Sequence, residues 1–466
     1  MRKFRKIMAM ILSLCILATV GEFPVTVNAA GNDLKFDANG DFKIVIFSDV
    51  QDQFPVHQRV IRIMEQAIDR EDPDLVVFLG DNTEQNIKDP EVDFRRSLEQ
   101  ILGPVVEAGV PYAFVFGNHD DQSYYSGQRT DKEAMLAVYQ SIGDCRTVDA
   151  DPTIYGTGTC KIPIYASGSN SVAFNLFMVD SNAYQNPLNT SSGYGSVQSD
   201  QLAWLTANND PDISSLVFQH IPMPENYNLL VENANGSRNY GGKTYLKELN
   251  SNATGYLGEF PNPCPANCNN GEFDTLKSMQ SVLGVFTGHD HLNDYTGTYD
   301  GINLTAVPGM TYFNYGSESV RGYGVIELDE SDLSTYSYHS VKFSTLDAES
   351  HISTETTYDV YDEIGYSDLR KNGSALPSTE YNIHGSNTFT YTATSPSNSA
   401  IFKFRYIAGS DTGIQFSFDE GDNGNVAYPF GVWVKKPNQG NAGGYGAWHL
   451  KPNVSSTMVD MESPIV

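Results

Sequence analysis

The feature that most constrains the fold is a repeated succession of short apolar strands and amphipathic helices in the first third of the chain. Apolar runs at 42–47, 75–79 and 112–116 predict three strands, and the stretches 56–69 and 91–108 between them predict two helices. Strands separated by helices indicate a βαβαβ unit, in which the strands are parallel and buried on both faces. The fold class is therefore α/β, and we expect the side chains that perform chemistry at the carboxyl ends of the strands.

Each of these three predicted strands ends in a short polar block. Asp49 and Gln51 follow the first strand, Asp81 follows the second, and the block 117–120, which contains Asn118, His119 and Asp120, follows the third. Because the carboxyl ends of parallel strands meet at one edge of a sheet, these residues are expected to lie close together.

The middle of the chain repeats this arrangement with more strands. Apolar runs lead into His220 and into the pair His289 and His291, and further runs toward residue 343 would complete a second sheet. The segment 226–270 is rich in Asn, Gly, Pro and Tyr and lacks periodicity. It is predicted to be a long loop at the rim of the site.

The five polar blocks together supply carboxylate, amide and imidazole groups, a mixed ligand set that suits Zn, Mn or Fe better than Ca. His289 and His291 point to the same side of an extended backbone, so two neighbouring cations could each take one of them. Four of the nine histidines lie in these blocks, at predicted strand ends. Packing alone does not explain that concentration.

In this order, the blocks closely resemble those of the calcineurin-like metallophosphoesterase superfamily, whose pattern is D-x-H, GD, GNH[DE], H and GHxH. The resemblance covers the stretch 43–328, and Gln219–Pro224 and Gly288–Tyr295 look like the purple-acid-phosphatase-like branch of secreted enzymes. The resemblance implies a four-layer αββα sandwich with two bound metal ions. It also implies hydrolysis of phosphomonoesters or phosphodiesters by a metal-bridging hydroxide.

The resemblance further implies a role for each residue. The implied metal ligands are Asp49 and His291 for the first ion, Asn118, His220 and His289 for the second, and Asp81 as the bridge between them. His119 would be the general acid that protonates the leaving alkoxide, and Asp120 would hold its ring. The ions themselves stay open among Mn, Zn and Fe.

Two positions depart from the family pattern. Gln51 stands where the family usually has a histidine, so the first metal would bind loosely, use the Gln51 carbonyl oxygen or recruit Asp52. Glu84 stands where purple acid phosphatases have the tyrosine that ligates ferric iron. We therefore expect no tyrosinate colour.

Other functions are consistent with the same residues. A secreted 5′-nucleotidase has the same five blocks, although no aromatic clamp for a base is recognisable here. Alternatively, loss of the first metal through Gln51 would leave a binding or adhesion protein without catalysis. Asn314, Tyr315 and Arg321 follow the last metal block and are candidates for substrate contacts, Arg321 because a guanidinium binds phosphate bidentately.

The first 29 residues have the parts of a secretory signal peptide: basic residues, an apolar run at 7–20 and small residues before the cleavage point. The run is too short to span a bilayer, so we expect a secreted protein without a membrane span after cleavage. The formal net charge of −28 disfavours nucleic acid as a partner. Export would permit disulfides, for which sequence proximity favours the pairs Cys145–Cys160 and Cys264–Cys268.

The predicted domain order is a metallophosphoesterase domain at 30–346, a linker at 347–360 and an all-β accessory domain at 361–466. Short apolar runs between turn residues in the last domain indicate a small β-sandwich. Its aromatic residues would form either a platform for cell-surface carbohydrate or an ordinary core; they are Tyr428, Phe430, Trp433 and Trp448.

Overall fold

The computed structural model describes residues 33–346, apart from gaps at 53–55, 57, 84–91, 121–123, 126–127, 130, 186–191, 259–262, 313 and 318, and seven short strands between residues 355 and 435. The predicted signal peptide, Glu84 and the four aromatic side chains of the predicted accessory domain lie outside this described part.

The strands are, in chain order, β1 (Asp41–Phe47), β2 (Leu75–Leu79), β3 (Tyr112–Val115), β4 (Tyr124–Tyr125), β5 (Gln128–Arg129), β6 (Cys160–Tyr165), β7 (Val172–Met178), β8 (Ser215–Phe218), β9 (Leu230–Glu232), β10 (Arg238–Tyr240), β11 (Lys243–Leu249), β12 (Ala253–Tyr256), β13 (Val282–Thr287), β14 (Asp294–Tyr299), β15 (Ile302–Ala306), β16 (Gly322–Asp329), β17 (Ser337–Lys342), β18 (Glu355–Asp359), β19 (Tyr381–His384), β20 (Thr388–Thr392), β21 (Lys403–Ile407), β22 (Gln415–Asp419), β23 (Asn425–Ala427) and β24 (Trp433–Lys435). The α-helices are α1 (Gln58–Glu71), α2 (Val92–Ala108), α3 (Lys132–Gln140), α4 (Ser199–Asn208) and α5 (Glu272–Met279). Short 3₁₀ helices span Pro224–Leu229 and Phe343–Thr345.

Two sheets form the body of the protein. The first has five strands in the order β17-β16-β1-β2-β3, with β1, β2 and β3 parallel to one another. The second has seven strands in the order β12-β14-β15-β13-β8-β7-β6, with β15, β13, β8 and β7 parallel. The predicted parallel βαβαβ unit is therefore present, and antiparallel strands extend both sheets.

Strand alternation shows how the layers stack. In β1, Val45 and Phe47 pack with helices α1, α2 and α3, whereas Ile44 and Ile46 face side chains of the second sheet such as Leu176. The opposite face of the second sheet packs against α4 and α5. Because successive side chains of a strand point to opposite faces, this division requires two sheets stacked between two helical layers. The expected four-layer αββα sandwich is confirmed.

Three regions differ from the sequence-based prediction. The runs near residues 324 and 343, expected to complete the second sheet, form β16 and β17, which join the first sheet because β16 lies antiparallel along β1 and β17 along β16. Helix α3 was not predicted; it begins after Asp131, whose carboxylate accepts a hydrogen bond from the Glu133 amide and so caps the helix. The segment 226–270 is not a structureless loop. It contains the three-stranded sheet β10-β11-β9, and β12 pairs with β14 at the edge of the second sheet. Backbone hydrogen bonds hold these strands together although their sequence lacks a hydrophobic pattern.

The four cysteines of the described part are free thiols, so the suggested disulfides are not formed. Cys160 lies on β6 between the two sheets, whereas Cys145 packs against the helical side of the first sheet. Sequence proximity therefore did not bring the Cys145 and Cys160 side chains into one layer.

Beyond residue 346 the described residues are strands only, paired as β18-β21, β19-β20-β22 and β23-β24. The all-β character of this part agrees with the fold prediction. Its domain boundaries and its sandwich arrangement stay predictions. Across the described residues, no helix combines the length and the apolar character that a membrane crossing requires.

Candidate metal centre

The loops that follow five parallel strands from both sheets meet at one edge of the sandwich. The Asp49 amide donates to the Gly80 carbonyl oxygen at 3.2 Å, which joins the loops after β1 and β2. The Gly288 amide donates to the His220 carbonyl oxygen at 3.1 Å, which joins the loops after β13 and β8. The polar blocks predicted at strand ends therefore converge, as the carboxyl-end rule for parallel sheets requires.

The backbone at this edge adopts conformations that side chains other than glycine rarely take. Of the eight non-glycine residues with positive φ in the described part, four belong to the centre: Asp49 (49°), Gln51 (40°), Asp81 (47°) and His289 (72°). Such conformations carry a cost of order 1–3 kcal/mol each and persist where surrounding contacts hold them. The fold thus maintains these four residues in fixed, unfavourable conformations at a single site.

Glycine at two positions allows the blocks to touch. A Cβ atom on Gly80 would lie 2.6 Å from Nδ1 of His220, and one on Gly117 would lie 2.2 Å from Oδ1 of Asp81. Both distances are shorter than any side chain tolerates. The glycines of the Gly80-Asp81 and Gly117–Asp120 blocks are therefore required by the close approach of the ligands.

The ligands expected for the second ion form the tightest group. The ligand atoms of Asp81, His220 and His289 all lie within 4.8 Å of one another, and all three residues are buried. Nε2 of His220 is 3.1 Å from Oδ2 of Asp81 and 3.2 Å from Oδ1 of Asn118. These four residues, carried by both sheets, are the ones predicted to surround one metal position.

The residues expected for the first ion lie beside them. Nε2 of His291 is 3.4 Å from Oδ1 of Asp49, and the His289 amide donates to both oxygens of Asp49 at 3.1 and 3.0 Å. The Ser48 hydroxyl also donates to Oδ2 of Asp49 at 2.5 Å. Asp49 is therefore fully buried and fixed by neighbours from two loops.

Backbone carbonyls orient two of the histidines. Nδ1 of His220 lies 2.9 Å from the Leu79 carbonyl oxygen, and Nδ1 of His291 lies 2.8 Å from the Tyr315 carbonyl oxygen. Each carbonyl can only accept, so Nδ1 carries the proton and Nε2 is presented to the centre. Both rings are thus held in the tautomer that suits metal binding.

The electrostatics of the centre favour positive charge. Burial by itself would lower the pKa of His220, but the neighbouring Asp81 carboxylate outweighs it and raises that pKa to about 9. Burial, followed by the nearby His220, lowers the pKa of His289 to about 3. Burial opposes ionisation of Asp49, but a hydrogen bond from His291 keeps its pKa below the usual range. The carboxylates are therefore ionised in a buried space, and His289 offers a neutral lone pair.

Two buried side-chain oxygen atoms of the centre are suited to bind metal ions. Oε1 of Gln51 is buried without a hydrogen-bond partner among the described residues, and Oδ2 of Asp81 is buried with only Nε2 of His220 beside it, at 3.1 Å. A buried, unsatisfied acceptor costs about 1–3 kcal/mol. Two cations would satisfy these oxygens, and the mixed carboxylate, amide and imidazole set matches Zn, Mn or Fe. The residues present therefore fit a pair of metal ions.

Gln51 lies in the loop after β1 that also carries Asp49, and its assignment to the first metal stays a prediction. Its side chain is fully buried and its amide donates to the Asp81 carbonyl oxygen at 2.7 Å. The Gln51 carbonyl oxygen accepts from the Thr311 hydroxyl at 3.4 Å, which makes the side-chain oxygen the more available ligand. Asp52 is also buried beside it.

Asp120 has a different set of partners from the one expected. Its Oδ1 accepts from the amides of Asn82 (2.9 Å) and Thr83 (3.0 Å) and from the Thr83 hydroxyl (3.3 Å), and its Oδ2 accepts from the Gly117 amide (2.8 Å). Burial and then the Asp81 charge raise the pKa of Asp120 to about 7. The carboxylate therefore braces the loops after β2 and β3. The His119 amide donates to Oδ1 of Asp81 at 2.6 Å, which places His119 beside the predicted bridge.

The other candidate residues split into two groups. Arg321 is buried, donates from Nε to the Thr311 carbonyl oxygen at 2.6 Å and lies 4.1 Å over the Tyr312 ring, so it holds its own loop. Asn314 is buried too, and its side-chain oxygen accepts from the Tyr315 amide at 2.8 Å. Tyr315 itself reaches the centre, with its ring 4.1 Å from the His291 ring.

Sequence reasoning missed two further neighbours of the centre. The Tyr184 hydroxyl accepts from Nδ2 of Asn118 at 3.2 Å, and the Tyr194 ring lies 4.3 Å from the His289 ring. Neither tyrosine follows a predicted strand end. The only available signal was that both lie in a turn-rich, aromatic stretch of the sequence before helix α4.

This fold and this site define a class of protein. Residues 42–293, more than half of the chain, match the family model described as calcineurin-like phosphoesterase, and the chain belongs to that family. It is a metallophosphoesterase by family, with the ligand blocks described above.

Particular relatives are similar to it over between about half and four fifths of their own length. The chain is 26% identical over 328 residues, 63% of this chain and 78% of the relative, to an Arabidopsis thaliana protein named "Probable inactive purple acid phosphatase 29". It is 27% identical over 299 residues, 59% of this chain and 48% of the relative, to "Phosphatase DCR2" of Saccharomyces cerevisiae. Among solved structures, a dimetal phosphatase from Danio rerio aligns with 64% of this chain and 98% of its own, at 14% identity and a TM-score of 0.40.

Proposed function

We propose that this protein hydrolyses phosphate esters with two metal ions held by Asp49, Asp81, Asn118, His220, His289 and His291, with Gln51 at the first position. The observation that carries the proposal is the convergence of Asp81, His220 and His289 within 4.8 Å, although these residues come from two different sheets. The family, whose model covers residues 42–293, supports the same reaction class.

Two cations in this centre would supply Lewis-acid polarisation of a phosphoryl group and would acidify water. The chain's own contribution is to keep Asp81 ionised and fixed, through the His119 amide on one oxygen and His220 near the other. His119 lies next to this carboxylate and is the proposed donor of a proton to the leaving-group oxygen. In this proposal Asp120 acts indirectly, by holding the loops that carry Asp81 and His119.

The test compares the wild type with Asp81→Asn, which removes the shared charge but keeps an acceptor for the His119 amide. Loaded with Mn or Zn, the wild type is expected to hydrolyse 4-nitrophenyl phosphate or its diester, and Asp81→Asn is expected to lose turnover while remaining folded by circular dichroism. Asp332→Asn, at an exposed carboxylate, is the matched control and should retain full activity. Wild-type turnover in Asp81→Asn would refute the proposal.

A second candidate is a binding protein that has lost catalysis. Gln51 replaces the usual histidine, and the Arabidopsis relative carries "probable inactive" in its name. Elemental analysis separates the two candidates. About two ions per chain with turnover supports the enzyme, whereas one or none without turnover on phosphate monoesters, diesters and nucleotides supports the binding protein.

We also propose that the protein is exported and cleaved near Ala30. Protein recovered from the culture medium of an expressing cell should begin close to that residue by N-terminal sequencing. Retention of the protein in the cell with residues 1–29 intact would contradict this proposal.

A further inference from the structure

Three tyrosines contact the metal-ligand side chains and form what we call the tyrosine rim: Tyr184, Tyr194 and Tyr315. The Tyr315 ring is stacked on the His291 ring at 4.1 Å and 9°, and the Tyr194 ring meets the His289 ring edge-on at 4.3 Å and 85°. Tyr184 holds Asn118 through its hydroxyl and stacks on Tyr194 at 6.0 Å and 25°. The rim therefore touches ligands of both proposed metal positions.

Packing does not account for the rim. Tyr315 is 38% exposed, which makes it one of only five large hydrophobic side chains so exposed within the described part of the chain. Tyr194 is half-buried, and only Tyr184 is nearly covered. An exposed aromatic face directly on a metal-ligand histidine is typical of a surface that a ligand covers.

The rim is apolar and uncharged at neutral pH. Phenol side chains are neutral at neutral pH, and the Tyr315 and Tyr194 rings lie directly against the rings of His291 and His289. The nearby Arg321 guanidinium is committed to the Thr311 carbonyl and the Tyr312 ring.

From these contacts we infer that the tyrosine rim is a leaving-group subsite that selects phosphate esters of a planar, uncharged aromatic alcohol. This inference rests on the proposed phosphoesterase function. The metal ions held by the carboxylate, amide and imidazole side chains would take the phosphoryl group, while Tyr315 and Tyr194 would stack on the ring of the leaving group. An aromatic pair contributes about 0.5–1.5 kcal/mol beyond area burial, which corresponds to roughly two- to tenfold in affinity or rate.

The sharpest substrate pair is benzyl phosphate and cyclohexylmethyl phosphate. Both release a primary alkoxide, and their difference in alkoxide basicity is the same for the wild type and the variants, so the change of the ratio on substitution isolates ring stacking. We expect the wild type, loaded with Mn or Zn, to show about three- to tenfold higher kcat/KM for the benzyl ester. A second readout does not depend on turnover, because benzylphosphonate and cyclohexylmethylphosphonate cannot be hydrolysed. Calorimetry on the loaded protein should show a Kd for benzylphosphonate that is lower than that for cyclohexylmethylphosphonate by the same factor.

Substitutions at Tyr315 and Tyr194 test the contribution of each aromatic ring. Tyr315→Leu and Tyr194→Leu remove an aromatic face while keeping apolar volume, and the Tyr315 carbonyl that orients His291 remains in both. Each should bring the benzyl-to-cyclohexylmethyl ratio toward one, whereas Tyr315→Phe should preserve it. Tyr256→Leu is the matched control, because Tyr256 is 48% exposed on β12 and shows no ring contact with a ligand histidine in the described residues.

The outcomes separate this inference from the proposed function. Hydrolysis of both esters with a ratio near one, or an unchanged ratio in both leucine variants, would overturn the subsite and leave the phosphoesterase standing. Absence of turnover on every ester would overturn the proposed function. In that case the phosphonate Kd ratio and its loss in Tyr315→Leu would still decide whether the rim selects aromatic rings.

Discussion

Replacement of Asp120 by asparagine tests which role this buried carboxylate has. The structure assigns it to the loops after β2 and β3, through four hydrogen bonds from Gly117, Asn82 and Thr83. Asparagine has the same shape but only one acceptor oxygen. In its best orientation it keeps the three bonds at the Oδ1 position and turns its NH₂ group toward the Gly117 amide.

The cost follows from that single lost bond. A buried amide left without an acceptor costs about 1–3 kcal/mol, so Asp120→Asn should lower the free energy of unfolding by about 2 kcal/mol. Asp120→Ala loses all four bonds and should cost about 4 kcal/mol or more. The comparison belongs at pH 8, because the pKa of Asp120 is raised to about 7 and the carboxylate is then largely ionised.

Urea denaturation of the metal-free protein measures both variants. The exposed Asp332→Asn should stay within about 0.5 kcal/mol of the wild type. The reasoning fails if Asp120→Asn unfolds like the wild type while the pH dependence of phosphate hydrolysis shifts. That pattern would return Asp120 to the role first expected, of holding the His119 ring.

Three further predictions follow from buried polar groups. Gln51→His should tighten binding of the weaker metal ion by at least about tenfold, because an imidazole replaces a neutral side-chain amide that has no hydrogen-bond partner among the described residues. Chelator competition measures this affinity, and an unchanged affinity would exclude Gln51 from the centre. Burial raises the pKa of Glu272 to about 8, so its contribution to stability is present below pH 4.5 and is lost as the pH rises toward 8. Glu272→Gln should therefore reduce the pH dependence of the free energy of unfolding between pH 5 and 8, measured by urea denaturation. An unaltered pH dependence would contradict the raised pKa. Lys132→Met should cost about 3 kcal/mol, because it leaves the buried Asp180 without the ammonium group 2.8 Å away; thermal unfolding within error of the wild type would show that the backbone amides near Asp180 suffice.

Much of the fold could be predicted from local pattern. Apolar runs with helices between them specified β1, β2 and β3, and the carboxyl-end rule then placed Asp49, Asp81 and the block 117–120 together. These predictions succeeded because burial of apolar side chains sets strand position, and strand position sets where the next polar residue lies.

Other features depend on contacts between distant parts of the chain. The Asp120 carboxylate accepts hydrogen bonds from the amides of Asn82 and Thr83, which lie 38 and 37 residues away. Nothing in the sequence indicates which backbone amides a given carboxylate will bind. The segment 226–270 pairs its strands through backbone groups, so its side chains show no period.

The sequence by itself determined which residues can bind metal and on which strands they are carried, because ligand chemistry and apolar patterning are both written in side chains. The tertiary structure alone decided how those ligands are oriented and what surrounds them. His291 is oriented by the Tyr315 carbonyl oxygen, a group that every residue has. The tyrosine rim forms only when the loops after β7 and β15 pack against the ligand histidines. Backbone acceptors and packed loop contacts have no signature in sequence, so they become visible only when the chain is folded.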